Sequence, residues 1–141
     1  MAPIKEFIKG LPLFSLGKNR TVAEAVGIMS ANDVGAVLIM ENDRLIGIFT
    51  ERDLIKRVLT KGLKPESTKL EQVMSPQVLC ATLDEEEAIV MAKMEHQKCR
   101  HIPIMEGDRP VGIISIRDLM RRILSQQEES LKFLEHYITS S

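Results

Sequence analysis

Residues 13–59 of this chain recur 65 positions later without a gap. The shift lays the segment GIFTERDL at 47–54 on GIISIRDL at 112–119, and it pairs polar as well as apolar positions earlier in the repeat. A self-match of this length and polarity indicates one structural unit that is used twice. We therefore expect two similar units in one fold, with a ligand or a partner held between them.

The size and charge of the chain limit its possible partners. In a chain of 141 residues each unit has about 60 residues, which is marginal for an independent domain, so the two units are expected to pack together. A net charge of −1 offers no positive field to DNA or RNA, and we expect no nucleic acid partner. No apolar run approaches the roughly 18 residues of a membrane span, so we expect no membrane segment.

The N-terminus and the cysteines indicate the cell compartment. The first residues lack the basic start and apolar stretch of a secretory signal. The two cysteines, Cys80 and Cys99, are too few for a disulfide scaffold and are wrongly arranged for a zinc site. We therefore expect a cytoplasmic protein without a metal.

The first repeat predicts the order strand, helix, strand, strand, helix. Thr21 and Glu24 have the spacing of a capping box at the start of the first helix, in which each side chain satisfies a backbone N–H. An almost wholly apolar run at 34–40 is typical of a strand covered on both faces. A polar hairpin at 41–44 leads to the return strand at 45–49. The other predicted elements are a short strand at 13–16 and a second helix that runs from Thr50 to about Leu59.

The second repeat predicts the same order, with strands at 78–81, 99–105 and 111–114. Asp84 and Glu87 again have the spacing of a capping box. We interpret the glutamates at 85, 86 and 87 as a complement to the helix dipole rather than as a metal or acid–base site.

The segments outside the repeats predict less structure. Residues 60–70 contain glycine, proline, serine and threonine and predict a surface linker. The tail predicts a weak amphipathic helix through Leu131, Leu134 and Tyr137. The fold class is α/β (α+β), with two repeats packed as a pseudo-two-fold pair. The predicted division is 1–62 for repeat one, 63–125 for repeat two and 126–141 for a helical tail.

The repeated pattern resembles the CBS domain, which is named after cystathionine β-synthase. Its features are a capped helix, an apolar strand that ends in Pro-Ile or an equivalent, a Gly-Asp type turn and Gly-Ile-x-Ser/Thr-x-x-Asp-Leu, and they cover residues 13–124. Two such domains in tandem form a Bateman module, and the chain is similar to small stand-alone bacterial and archaeal proteins of this type. The resemblance implies a flat homodimer formed by paired helices. Those helices follow Thr21, Glu86, Thr50 and Ser115.

The pairs Thr50–Asp53 and Ser115–Asp118 have two interpretations. A hydroxyl at the N-cap and a carboxylate three residues later form a capping box without any ligand. A helix N-terminus is also a ready anion site, and a fixed carboxylate can accept both hydroxyls of a ribose. The resemblance implies that the aspartates contact the ribose and that the hydroxyls lie near ribose or phosphate. Capping and binding are compatible.

Arg100 and His101 stand just before a strand of repeat two. A salt bridge or a solvated strand edge would explain them, whereas the resemblance places basic residues here on ligand phosphates. Repeat one has Gly35 and Ala36 at these positions, which would leave room for a flat base near the backbone. Two equivalent, fully occupied sites are therefore not expected.

The resemblance implies two candidate clefts. The first combines repeat two with the first strand of repeat one, through Ser115, Asp118, Arg100, His101, Phe14, Ser15, Gly35 and Ala36. The second combines Thr50, Asp53, Leu79 and Cys80. Cys80 stands where repeat one has Ser15, and we expect it to be buried as a small hydrophobe rather than to act in redox chemistry.

The chain carries none of the common motifs of nucleophilic, metal-dependent or phosphate-loop catalysis, so we expect no enzyme and no catalytic cofactor. With the resemblance, the sequence predicts a regulatory module that binds AMP, ADP or ATP between its repeats and passes occupancy to an effector protein. One alternative is an assembly dimer with empty clefts. Another is a sensor of NADH, S-adenosylmethionine or a metal.

Overall fold

The two copies of the repeat, which lie 65 positions apart, form two three-stranded sheets of the same topology. In the first sheet, β1 (Ser15–Gly17) runs parallel to β2 (Ala36–Glu41), and β2 pairs antiparallel with β3 (Arg44–Thr50). In the second sheet β4, β5 and β6 pair in the same way. Their bounds are Ala81–Thr82, His101–Glu106 and Arg109–Ser115. The α/β fold class is confirmed.

The computed structural model describes residues 3–7, 10–76 and 78–140. Within these ranges the helices flank the sheets, and the last helix of repeat two is longer than its counterpart in repeat one. Their bounds are Ile4–Phe7 for a 3₁₀ turn, Val22–Asn32 for α1, Glu51–Asp53 for α2 with a π-helical continuation at Leu54–Leu59, Leu70–Val73 for α3, Glu87–Gln97 for α4 and Ile116–Ser140 for α5.

Local chemistry explains why the elements start and stop where they do. Thr21 caps α1, since its hydroxyl accepts the Glu24 N–H at 3.2 Å and the Glu24 carboxylate accepts the Thr21 N–H. The capping box predicted there is confirmed. Asp33 and Lys98, which are 65 residues apart, end α1 and α4 in the left-handed conformation. Both long hairpins have a bulge at the same point of the repeat.

The two repeats share a core and exchange their leading segments. Ala36, Leu38, Ile48 and Ile113 form a buried apolar cluster that joins the sheets. Ile4 packs in the core of repeat two, although it precedes repeat one in the chain. Ile113 N–H donates to the Pro12 carbonyl at 3.0 Å, and in the matching contact Ile48 N–H donates to Ser75 at 3.1 Å. The segment before each repeat therefore packs on the other repeat.

The acidic run at 84–87 differs from the prediction. Helix α4 begins at Glu87, and its N-cap, Glu86, makes no side-chain capping bond. Glu87 is fully buried, and Asp84 lies 3.8 Å from Lys5. The capping box predicted for Asp84 and Glu87 is wrong, because the N-cap is Glu86 and Glu87 points into the protein. Glu87 lies in the first turn of α4, and the dipole role stays a prediction.

The segments outside the repeats also differ in part. Thr68 and Leu70 are buried, and the Thr68 carbonyl accepts the Val22 N–H at 2.9 Å, so the predicted linker ends in packed structure. The tail is not a separate weak helix, because α5 runs unbroken from Ile116 to Ser140. No helix in the described ranges is long and apolar enough to cross a membrane. A cytoplasmic location stays a prediction.

Candidate functional site

Two clefts open where the repeats meet. The cleft of about 530 Å³ at Ser115 is called the Ser115 cleft, and the cleft of about 600 Å³ at Thr50 is called the Thr50 cleft. Both volumes lie in the range of about 300–1,000 Å³ that is usual for small-molecule sites. Both repeats line each cleft, and Glu51, Arg100 and His101 line both of them.

The Ser115 cleft contains an exposed helix start. Strand β6 ends at Ser115 and α5 begins at Ile116, whose N–H donates to the Arg100 carbonyl at 2.8 Å. The positive end of the helix dipole therefore lies at this cleft. The Ser115 N–H donates to Asp118 Oδ2 at 3.1 Å, and the Asp118 N–H donates to Ser115 Oγ at 3.1 Å. Among the described residues, Asp118 Oδ1 accepts no hydrogen bond, so this carboxylate keeps an acceptor for a ligand.

Cationic side chains line the same cleft as this carboxylate. Arg100, which precedes β5, and Arg117 and Arg121 on α5 line the Ser115 cleft and are exposed. Sequence reasoning selected Arg100 and missed the other two. Their spacing could have found them, since Arg121 follows Arg117 by one helical turn beside the predicted anion site. The cleft thus combines the Ser115 hydroxyl and three guanidinium groups with three carboxylates, those of Asp33, Glu51 and Asp118.

His101 lies at the boundary of the two clefts and is half-buried. Burial lowers the pKa of His101 from its ordinary value of 6.5, while the carboxylates of Glu51 and Asp118 oppose this effect and Arg100 adds to it. The imidazole is therefore neutral near pH 7 and can donate one hydrogen bond and accept another.

Gly35 and Ala36 line the Ser115 cleft, as predicted, but the space above Gly35 is filled. A Cβ built on Gly35 would overlap the Glu51 carboxylate and lie 2.9 Å from His101 Nε2. The prediction of open room for a base at this glycine is therefore wrong in this structure, because two polar side chains take that room.

The Thr50 cleft brings together Thr50, Asp53 and Leu79, as predicted. Its aspartate is already engaged: Asp53 Oδ2 accepts the Thr50 N–H at 3.0 Å, and Oδ1 accepts the Ser75 hydroxyl at 3.2 Å. Arg57 Nε lies 3.5 Å from Asp53 Oδ1. The residue is only 7% exposed. Asp53 acts as a buried helix cap whose oxygens are used within the protein.

Three predicted site residues line neither cleft. Strand β1 begins at Ser15, two residues later than predicted, so Phe14 packs on the core of repeat one and Ser15 lies in a shallow depression beside β2. Pro12 takes their place in the Ser115 cleft. Cys80 is half-buried, with its sulfur 3.5 Å from the Val78 carbonyl oxygen.

The cysteines and the acidic side chains show no metal chemistry. Burial raises the pKa of both the Cys80 and the Cys99 thiols, which keeps them protonated. Across residues 3–7, 10–76 and 78–140, no group of three His, Cys, Asp or Glu side chains is placed to hold a metal ion.

Comparisons with solved structures agree with the arrangement of the two repeats. A protein with CBS domains from Burkholderia ambifaria is 27% identical, has a TM-score of 0.84, and shares 89% of this chain and 96% of that chain. A CBS domain pair determined in complex with 5′-methylthioadenosine and S-adenosyl-L-methionine is 23% identical, with a TM-score of 0.78 over 89% of this chain and 98% of that chain. The latter likeness concerns the fold.

Sequence comparison gives the family. The mitochondrial CBS domain-containing protein CBSX3 of Arabidopsis thaliana is 32% identical over 123 residues, which are 84% of this chain and 60% of that protein. The chain thus spans less than two thirds of this relative. The family model of the CBS domain matches residues 4–60 and again residues 70–125. This chain belongs to the CBS domain family and carries the domain twice.

Proposed function

We propose that this CBS pair is a regulatory module that binds an adenosine nucleotide in the Ser115 cleft. The observation that carries the proposal is the open carboxylate of Asp118, which lies at a helix N-terminus beside Arg100, Arg117 and Arg121. Ribose hydroxyls are hydrogen-bond donors and phosphates are anions, so one cleft offers a partner for each part of the ligand.

The positions of the charges suggest how the ligand lies. Asp118 accepts hydrogen bonds from the ribose, and the hydroxyl of Ser115 reaches the ribose or the first phosphate. The guanidinium groups of Arg100, Arg117 and Arg121 hold the phosphates, and three of them suit ADP or ATP better than AMP. The negative charge of Glu51 on the same cleft limits how closely further phosphates approach His101.

Adenosine is the ligand class with support from a relative. The CBS pair of the same fold that was determined with 5′-methylthioadenosine and S-adenosyl-L-methionine holds two adenosine compounds. Neither of these ligands carries a phosphate. The arginines of the Ser115 cleft are suited to bind phosphates, so they favour a nucleotide as the ligand of this chain.

The signal is a change in the contact between repeats. Arg100 and His101 belong to repeat two, yet both line clefts shared with repeat one. Phosphates that bridge these residues and the start of α5 would draw the repeats together. A ligand shifts such an equilibrium only by its differential affinity for the two shapes, so a partner protein must bind one shape more tightly. No catalytic step is part of this function.

The proposal includes a homodimer, since exposed apolar side chains lie on the helices. Those on α5 include Met120, Leu124, Leu131, Phe133 and Leu134. Ile55 and Leu59 after α2, and Ile89 on α4, are also exposed. The predicted dimer helices therefore carry apolar surface, although the exposed large apolar side chains include none from α1. In the proposed dimer, a second copy of this chain covers these exposed apolar side chains.

The thermal unfolding midpoint, measured with AMP, ADP, ATP, NADH or S-adenosylmethionine, tests the ligand. Ligand at 100 times its dissociation constant should stabilise the fold by about 2.7 kcal/mol, which raises the midpoint by several degrees. We expect the largest rise with ADP or ATP and a much smaller rise for Asp118→Ala at the same concentrations. No rise with any ligand at millimolar concentration would overturn nucleotide binding. The apolar helices would then favour the second candidate, an assembly dimer with empty clefts.

A further inference from the structure

The internal repeat identifies one buried position at which the two CBS domains differ in charge. Val22 on α1 is fully buried, and the residue 65 positions later, Glu87 on α4, is also fully buried. A carboxylate at a core position is costly unless it is paired. Glu87 therefore needs a partner for its carboxylate, whereas Val22 in repeat one needs none.

That partner is Arg122 on α5. Its Nε lies 3.1 Å from Glu87 Oε1, and Gln126 Nε2 lies 3.5 Å from the same oxygen. Glu87 Oε2 is buried and has no hydrogen-bond partner among the described residues. Arg122 also approaches Glu6 at 3.8 Å. Glu87 thus holds the guanidinium of Arg122 against α4.

The equivalent arginine of repeat one points elsewhere. Arg57, which is 65 residues before Arg122, lies with its Nε 3.5 Å from Asp53 Oδ1 and donates to the Met74 carbonyl at 2.8 Å. In both repeats this arginine follows the motif aspartate by four positions, a spacing at which the two side chains meet on a helix. In repeat one this arginine lies beside the motif aspartate, whereas in repeat two its Nε lies beside Glu87.

We propose that Glu87 is a positioning residue for the Ser115 cleft. Glu87 draws Arg122 away from Asp118 and so leaves the Asp118 carboxylate for the ligand. This inference rests on the proposed function, because it explains how that cleft keeps its acceptor. Arg122 Nε lies 3.1 Å from Glu87 Oε1 in the core, whereas Asp118 lines the cleft, so the pair with Glu87 competes with a pair to Asp118. Glu87, in the core of repeat two, thus keeps the Asp118 carboxylate available in the Ser115 cleft, whereas the Asp53 carboxylate of the Thr50 cleft is engaged.

The test restores the residue of repeat one with Glu87→Val. We expect the crystal structure of this ligand-free variant to show Arg122 on Asp118, as Arg57 lies on Asp53. We also expect calorimetric titration with ADP to give about tenfold weaker binding than wild type, because a charge-assisted hydrogen bond to the ligand is lost. Glu87→Gln keeps the shape and weakens the hold on Arg122, and it serves if the valine variant does not fold.

The double variant Glu87→Val/Arg122→Met separates positioning from stability. Without the arginine nothing captures Asp118, so the double variant should bind ADP as wild type does, although it lacks the link between α4 and α5. A single variant that binds like wild type, or a double variant that binds as weakly as the single one, would overturn the inference. Wild-type protein that binds no nucleotide would instead overturn the proposed function. The position of Arg122 in the ligand-free crystals would still decide whether Glu87 controls it.

Discussion

The two clefts contain the same motif in different states. In the Thr50 cleft the aspartate is buried and its oxygens accept from Thr50 and Ser75, with Arg57 beside them. In the Ser115 cleft the aspartate is half-buried and keeps one oxygen free of hydrogen bonds from the described residues. One copy acts as a helix cap, and the other is proposed to bind a ligand. A motif therefore indicates a possible function, and its neighbours decide whether that function is available.

Charge does not separate the clefts in the same way. Arg117 and Arg121 line the Ser115 cleft together with Asp33 and Glu51. Arg52, Lys56 and Arg57 line the Thr50 cleft, where Arg57 lies beside Asp53. Because the chain holds both copies, each variant in one cleft has a matched control in the other.

The largest expected effect comes from the aspartates. Asp118→Ala should weaken ADP binding about 100-fold, because it removes the acceptor of the ribose hydroxyls. Asp53→Ala should leave binding unchanged, and isothermal titration calorimetry measures both. Equal losses in the two variants would erase the distinction between the clefts.

The second-largest effect on ADP binding should come from the arginines of the Ser115 cleft. Arg121→Ala is expected to weaken ADP binding about tenfold and to reduce its dependence on salt concentration, since a phosphate contact is lost. Arg52→Ala is the control, because Arg52 is exposed in the Thr50 cleft and donates to the Lys98 carbonyl at 3.3 Å. Titrations at low and high salt check this prediction, and a salt dependence that Arg121→Ala leaves unaltered would contradict it.

The two aspartates should rank in the opposite order for stability: replacing Asp53 should destabilise the protein more than replacing Asp118. Asp53→Ala should lower the free energy of unfolding by about 2 kcal/mol, because a cap, the hydrogen bond from Ser75 and a partly exposed ion pair are lost together. Asp118→Ala should cost about 1 kcal/mol, since only the cap is lost. Urea denaturation of the ligand-free proteins measures both, and a costlier Asp118→Ala would show that its carboxylate is the structural one.

The smallest effect concerns pH. Burial lowers the pKa of His101 below 6.5, so the unfolded chain binds a proton more readily than the folded protein does. The contribution of His101 to stability is therefore present above pH 6.5 and is lost as the pH falls from 6.5 towards the folded pKa. His101→Gln should lose less stability than wild type between about pH 7.5 and 5.5. His136→Gln, at an exposed position on α5, should follow wild type. Identical slopes for all three proteins would contradict the assignment.

The sequence predicted most of the fold because the repeat and the local capping signals depend on near neighbours. Helix α1 begins with the predicted capping box at Thr21, and the Ser115–Asp118 pair forms its reciprocal bonds at the start of α5. The extent of α5 was missed because nothing in the sequence separates one long amphipathic helix from two short ones.

The site was harder to predict, because it depends on contacts between distant residues. Glu87 has the spacing of a cap, but its partner Arg122 lies 35 residues away on another helix. The engagement of Asp53 likewise depends on Ser75, which belongs to the segment that leads into the other repeat. Phe14, Ser15 and Cys80 line neither cleft, since β1 begins two residues and β4 three residues later than predicted, and such a shift in a short strand moves side chains out of a cleft.

A crystal structure of the wild-type protein grown with saturating ADP tests the central claim most directly. We predict one nucleotide per chain in the Ser115 cleft, with its ribose on Asp118 and its phosphates on Arg100, Arg117 and Arg121, and no nucleotide in the Thr50 cleft. A nucleotide on Asp53, or two empty clefts at saturating ADP, would contradict the account.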